Sequence, residues 1–137
     1  MKRESLRQKH NKQQGVNMNN VTININFSDE QIDYWLSGAF EGGSNYWCES
    51  IEVKDNDYKG CKYASECVSK GGTIIVTLYD ECEEKAKITK KDISNALAWM
   101  SENKYTKCLD RLLNDKYDAD DSDVIFQVAC FGKVIYG

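Results

Sequence analysis

Histidine occurs once in these 137 residues, at His10, and proline does not occur at all. The histidine count carries the larger consequence. General acid–base and nucleophilic catalysis usually depend on a histidine, or on a carboxylate or cysteine set beside a partner. Without a histidine beyond residue 10, Ser-His-Asp and Cys-His arrangements are excluded from the body of the chain, and so are most metal-activated waters. Paired carboxylates remain chemically possible, but spacing alone brings no two together. The expectation is that the chain is not an enzyme. The lack of proline bears on no function.

Other absences narrow the class. No apolar run approaches the roughly 18–20 residues that cross a bilayer. The opening MKRESLRQKHNKQQG is basic but has no apolar core behind it, so it does not read as a secretory signal. A cytoplasmic protein is expected. The phosphate-binding patterns G-x-x-x-x-G-K-[ST] and G-x-G-x-x-G are both missing. None of the six cysteines (Cys48, Cys61, Cys67, Cys82, Cys108, Cys130) forms a C-x-x-C pair, and no histidine in the body can complete a mixed zinc site. Free, mostly buried thiols are expected, with no metal and no cofactor.

What is present is a single-domain composition, 41% hydrophobic and 29% charged, with a net charge of −4. Charge is unevenly spread. Residues 1–20 hold Lys2, Arg3, Arg7, Lys9 and Lys12 against Glu4, and the remainder is acidic. A basic arm on an acidic body suits a nucleic-acid tether, but this arm has almost nothing apolar to pack and is expected to be disordered. Structure is expected from residue 21, and Met18 is a second candidate start. Direct nucleic-acid binding is not expected.

Hydrophobic periodicity gives an α+β domain over 21–137: a small, mainly antiparallel sheet packed on three to four helices. Val21, Ile23, Ile25 and Phe27 alternate as in a half-buried strand. Ser28 and Gln31 form a capping box, and Ile32, Trp35, Leu36, Ala39 and Phe40 follow at helical spacing up to Gly42–Gly43. Tyr46–Val53 reads as a strand, Gly60–Lys70 as a short helix, and Thr73–Tyr79 as the strongest strand. A charged turn at Asp80–Lys85 then leads to a return strand, Ala86–Thr89. Helices are expected from Thr89 to Asn103 and from Thr106 to Leu113. An acidic loop, Asp115–Asp123, precedes a last helix stopped by Gly132 and a short strand Val134–Tyr136.

Two stretches invite a functional reading. The acids Asp115, Asp118, Asp120, Asp121 and Asp123 suggest calcium, yet counting from Asp118 puts Asp123 where an EF-hand turn needs glycine and Ala129 where it needs glutamate. The run, with Asp80, Glu81, Glu83 and Glu84, reads instead as an acidic surface able to occupy a basic groove on another protein. The second stretch is Gly42–Trp47. Gly42 and Gly43 let a backbone approach closely, Ser44 and Asn45 carry polar groups, and Tyr46 and Trp47 carry stackable rings. Together they suit either a pocket for a nucleotide-like ligand or a helix end with two core aromatics. A pocket completed between two copies, as a homo-oligomer, is also open.

The segments GAFEGGSNYW, Tyr58–Lys59–Gly60 with Tyr63–Ala64–Ser65, GGT before a strand and FGKVIYG at the close resemble a group of short phage and prophage proteins of unassigned function. These are encoded largely in low-GC Gram-positive bacteria, and the likeness spans about residues 21–137. It implies action in the cytoplasm of an infected host. Small phage proteins of this kind often counter host defence, by blocking a defence protein such as a CRISPR effector or by sequestering a nucleotide signal. The expected function is therefore an anti-CRISPR-like inhibitor that binds a basic, nucleic-acid-binding surface of a host defence protein. The alternative is capture of a small polar ligand at Gly42–Trp47.

Overall fold

The computed structural model describes residues 18–79 and 85–137. The basic arm up to residue 17, Cys82 and the charged turn at 80–84 lie outside these residues.

Ser28 opens α1 (Asp29–Gly38) with the expected reciprocal cap. Its Oγ accepts from the Gln31 N–H at 3.1 Å, and Gln31 Oε1 accepts from the Ser28 N–H at 2.9 Å. Ile32, Trp35 and Leu36 are buried on one helical face. The helix then widens into a π-turn, Ala39–Gly43. The sheet is antiparallel, in the order β1 (Cys48–Val53), β2 (Ile74–Leu78), β3 (Lys85–Ile88). β1 pairs with β2 from Cys48↔Leu78 to Val53↔Ile74, with an irregularity between Cys48 and Ser50. β2 pairs with β3 from Ile74↔Ile88 to Thr77↔Lys85. Ile74, Val76 and Leu78 alternate inward, as period-2 geometry requires.

Three helices follow: α2 (Lys90–Ser101), α3 (Thr106–Leu113) and α4 (Ala119–Phe131). α4 is the hub, touching α1, the π-turn, α2, α3 and β3. Its Ile125, Phe126 and Gln127 are almost wholly buried, in one core shared with Trp35, Trp47, Ile74, Ile88 and Met100. The α+β class expected from the sequence is the observed one.

Two glycines set how closely α4 can be approached. A Cβ on Gly43 would run into the Ala119 carbonyl, and one on Gly38 would sit 2.5 Å from Ser122 Oγ. The π-turn therefore rests directly on the first turn of α4.

Four local expectations differ from the structure. Residues 21–27 form no strand: Val21 and Ile23 are exposed, and only Ile25 and Phe27 lean on the core, Phe27 against Trp35 at 6.3 Å between ring centres. Alternation marked these residues as suited to a sheet edge but supplied no neighbour to complete the ladder. Gly60–Lys70 is not one helix but two 3-10 turns, Ala64–Glu66 and Val68–Lys70, ended by Gly71 at φ 94°. The acidic run is only partly loop, because Asp118 caps α4 and Asp120–Asp123 lie within it. Val134–Tyr136 makes no strand, its backbone being claimed by a side chain as described below.

Candidate functional site

The two stretches singled out in the sequence meet in space. From the first turns of α4, Asp123 is only 7% exposed and points at the loop after the π-turn. Its Oδ1 accepts from Ser44 Oγ and from Trp47 Nε1, both at 2.7 Å. Its Oδ2 accepts from Tyr46 Oη at 2.6 Å and from Gln127 Nε2 at 3.0 Å. Four donors thus converge on one carboxylate, and charge-assisted bonds of this length are strong. Burial, and then the hydrogen bond to Asp123, push the Tyr46 hydroxyl up to about 12, so it stays a donor at neutral pH.

Gln127 extends the network. Its Oε1 accepts from the Ile135 and Tyr136 N–H groups, both at 2.9 Å, and its amide also reaches the Tyr136 carbonyl at 3.3 Å. That fastens the C-terminal segment without a sheet. Tyr136 then stacks on Trp47 with ring centres 5.5 Å apart, and Phe126 and Phe131 enclose the same indole. Ser44, Tyr46 and Trp47 direct their donors inward to Asp123, Gly43 abuts α4, and Asn45 alone among the four side chains of Ser44–Trp47 is exposed without a described partner.

The acidic run divides by role. Asp121 is 3% exposed and receives Arg111 in a two-point contact at 2.7 and 2.8 Å. Asp118 accepts from the Asp121 N–H at 3.0 Å as the cap of α4. With Asp123 buried as well, the run is not a continuous acidic surface. Asp121 and Asp123 are removed from it because the helix starting at Ala119 turns those two positions inward. Asp115, Asp118 and Asp120 remain exposed.

The Arg111 contact holds the Asp121 carboxyl below the ordinary carboxylate range. A group whose folded value is depressed stabilises the fold above its unfolded value and loses that contribution as pH falls through the folded one. Stability should therefore decline from about pH 4 downward. Asp121→Asn should flatten that decline relative to the native chain in denaturation experiments run across acidic pH. An unchanged acid profile would remove Asp121 from the explanation.

Burial raises the thiols of Cys48 and Cys108, to about 11 and about 12, and those of Cys67 and Cys130 also rise. Such thiols are poor nucleophiles at neutral pH. Among the described residues no three His, Cys, Asp or Glu side chains converge as a metal would require, and no helix is long and apolar enough to cross a membrane.

Open surface lies elsewhere, around Tyr34 on the outer face of α1. Gln31 Nε2 donates to the Leu113 carbonyl and to Asp115 Oδ1, both at 3.2 Å, and Trp35 Nε1 donates to the Leu112 carbonyl at 3.3 Å. These bonds clamp the end of α3 against α1. They place Asp115, in the left-handed backbone region at φ 58°, beside Glu30, Tyr34 and Tyr117 in an open cleft of about 590 Å³. Among the described residues neither Glu30 nor Asp115 is in a salt bridge. Of the sequence-identified acids among the described residues, only Asp115 lines this cleft. Sequence reasoning missed Glu30, Tyr34 and Tyr117, and the signal for two of them was that Glu30 and Tyr34 stand four residues apart, off the apolar stripe of α1.

No protein-family model, no curated protein and no solved structure matches the chain.

Proposed function

We propose that the protein acts by binding rather than by catalysis, through an acidic, tyrosine-bearing face that takes a basic surface of another protein. The observation that supports this most is the cleft of Glu30, Tyr34, Asp115 and Tyr117: two carboxylates without a cationic partner among the described residues, set beside two phenol rings. Tyrosines are favoured at protein interfaces because they add large rigid area with a polar tip. Unpaired carboxylates steer a basic partner and set its orientation. Asp120 extends the exposed charge at the start of α4.

The likeness to short phage-encoded proteins directs the choice of partner. A nucleic-acid-processing defence complex of the host presents a basic groove, and an acidic protein lodged there would exclude the nucleic acid. The proposed activity is therefore inhibition of a host defence complex by one-to-one occupation of such a groove.

Two isosteric changes test the face with little disturbance to the fold. Glu30→Gln and Asp115→Asn together remove two charges, and asparagine tolerates the left-handed backbone at position 115. In a host carrying the defence system, the native protein should restore plating of a restricted phage, and the double variant should lose most of that restoration. Binding to the purified complex should weaken in parallel, chiefly through the association rate and with less dependence on salt. A double variant that protects and binds like the native chain would overturn the assignment of this face.

A further inference from the structure

Tyr34 forms the wall between the cleft just described and a second one. The second lies between α1 and the 3-10 turn Ala64–Glu66, encloses about 350 Å³, and is lined by Asp33, Tyr34, Phe40, Glu41, Tyr63 and Glu66. Its floor and walls are largely aromatic and aliphatic, and its rim is acidic. Tyr34 and Tyr63 are 56% and 55% exposed, so both rings are available to an incoming group.

Each of the three carboxylates is anchored by one oxygen only. Asp33 Oδ1 accepts from Ser69 Oγ at 2.6 Å, and Glu41 Oε2 accepts from Ser37 Oγ at 3.0 Å. Glu66 Oε1 accepts from the Lys62 and Tyr63 N–H groups at 3.2 and 3.1 Å. Among the described residues, Asp33 Oδ2, Glu41 Oε1 and Glu66 Oε2 receive no donor, and none of the three residues is in a salt bridge. Serines and backbone amides thus orient the carboxylates while one oxygen of each stays unclaimed. Two lysines stand nearby. Lys70 Nζ donates to Ser69 Oγ at 3.2 Å, and Lys62 Nζ lies over the Tyr63 ring, 5.3 Å from its centre. Lys62 does not line the cleft, so the Tyr63 ring and its neighbours there remain open to a partner's side chain.

We propose that this second cleft is the anchor pocket for an arginine side chain of the partner protein, a reading that rests on the binding function proposed above. A guanidinium is planar and weakly hydrated, stacks on phenol faces, and forks its donors toward carboxylate oxygens. The cleft supplies both kinds of wall. An ammonium is a compact, strongly hydrated charge and would use the rim while leaving the aromatic walls unfilled. At about 350 Å³ the space is near the lower limit of ligand pockets and suits one side chain. Buried arginine and tyrosine contacts are the commonest energetic centres of protein interfaces.

The test titrates the isotope-labelled full chain with acetyl-arginine amide, followed by amide NMR. Saturable shifts are expected at Ser37, Phe40, Glu41 and Tyr63–Glu66, and none with acetyl-citrulline amide, the uncharged counterpart. Glu41→Gln combined with Tyr63→Ala should weaken the arginine titration, and binding to the partner complex, roughly thirtyfold. Both side chains are exposed or rim residues, and an unchanged far-UV circular dichroism spectrum confirms that the fold is kept. Equal shifts with citrulline, or shifts scattered over every exposed carboxylate, overturn the anchor. If that happens while Glu30→Gln/Asp115→Asn still loses the partner, the pocket assignment fails alone. If neither pair of substitutions affects partner binding, the binding reading fails and the anchor falls with it.

Discussion

Asp123→Ala is expected to lower the free energy of unfolding by about 3–5 kcal/mol. The figure follows from what the carboxylate holds. Removing it strands the Ser44 hydroxyl, the Trp47 indole N–H and one Gln127 amide hydrogen in an interior where each of those residues is 3% exposed or less. A buried donor left without an acceptor costs about 1–3 kcal/mol, and partial entry of water keeps the sum below the maximum. Against a total stability of about 5–15 kcal/mol for a domain, that is a large loss. The exposed neighbour Asp120 provides the contrast, since Asp120→Ala should stay within about 0.5 kcal/mol of the native chain. Urea denaturation of the three proteins, with the slopes compared, measures both. If Asp123→Ala and Asp120→Ala unfold at the same urea concentration, the carboxylate is not the organising centre described here.

Trp47→Ala should be of similar size, about 3–5 kcal/mol. The indole is 3% exposed and lies among Phe126, Phe131 and Tyr136, so its loss opens a cavity between α4 and the C-terminal segment. It also removes a donor from Asp123. Trp47→Phe separates the two contributions: most of the ring remains, the hydrogen bond goes, and a cost of about 1–2 kcal/mol is expected. Because Trp47 and Asp123 share a bond, the double replacement should destabilise by less than the two single changes together. Strict additivity would show that the two residues stabilise the fold independently. These changes also discriminate between structure and binding. A tryptophan poised in an open pocket could be removed with the fold intact, whereas this one should take near-ultraviolet ellipticity and stability down together.

The same geometry reshapes any charge-reversal experiment on the acidic run. Asp118→Lys removes a helix cap, Asp121→Lys sets a lysine against Arg111, and only Asp120→Lys alters surface alone. A block replacement of the run would report on folding before it reported on binding.

Much of the local structure was legible residue by residue. The capping pair Ser28/Gln31 and the helix start at Thr89 fall where expected, as do Gly132 as the stop of α4 and the strand over Ile74–Leu78. These signals are local: a side chain bonds a backbone group three positions away, or alternation follows the pleat. Asp123 was also picked out, as was the whole Ser44–Trp47 segment, but as two unrelated features. Nothing in a spacing of 76 to 79 residues indicates that they are partners. The strand expected at 134–136 failed for a related reason. Val134, Ile135 and Tyr136 have strand-like side chains, but the N–H groups of Ile135 and Tyr136 are taken by a glutamine eight and nine positions back on α4.

The sequence by itself determined the class of protein: an α+β chain whose body, beyond residue 10, has no histidine, and which contains no phosphate-loop motif and no cysteine pair at metal-binding spacing. It also marked the helix ends and the central strand, because those depend on neighbours along the chain. The tertiary structure alone decided which acids face solvent. An aspartate near a helix N-terminus reads the same whether it meets water or four donors, and the choice rests on where the π-turn at Gly43 brings its loop. The tertiary structure also joined Tyr34 of α1 to Asp115 and Tyr117 on one side and to Tyr63 and Glu66 on the other. The proposed binding face draws on three separate segments and comes together only once α1 has packed between the other two.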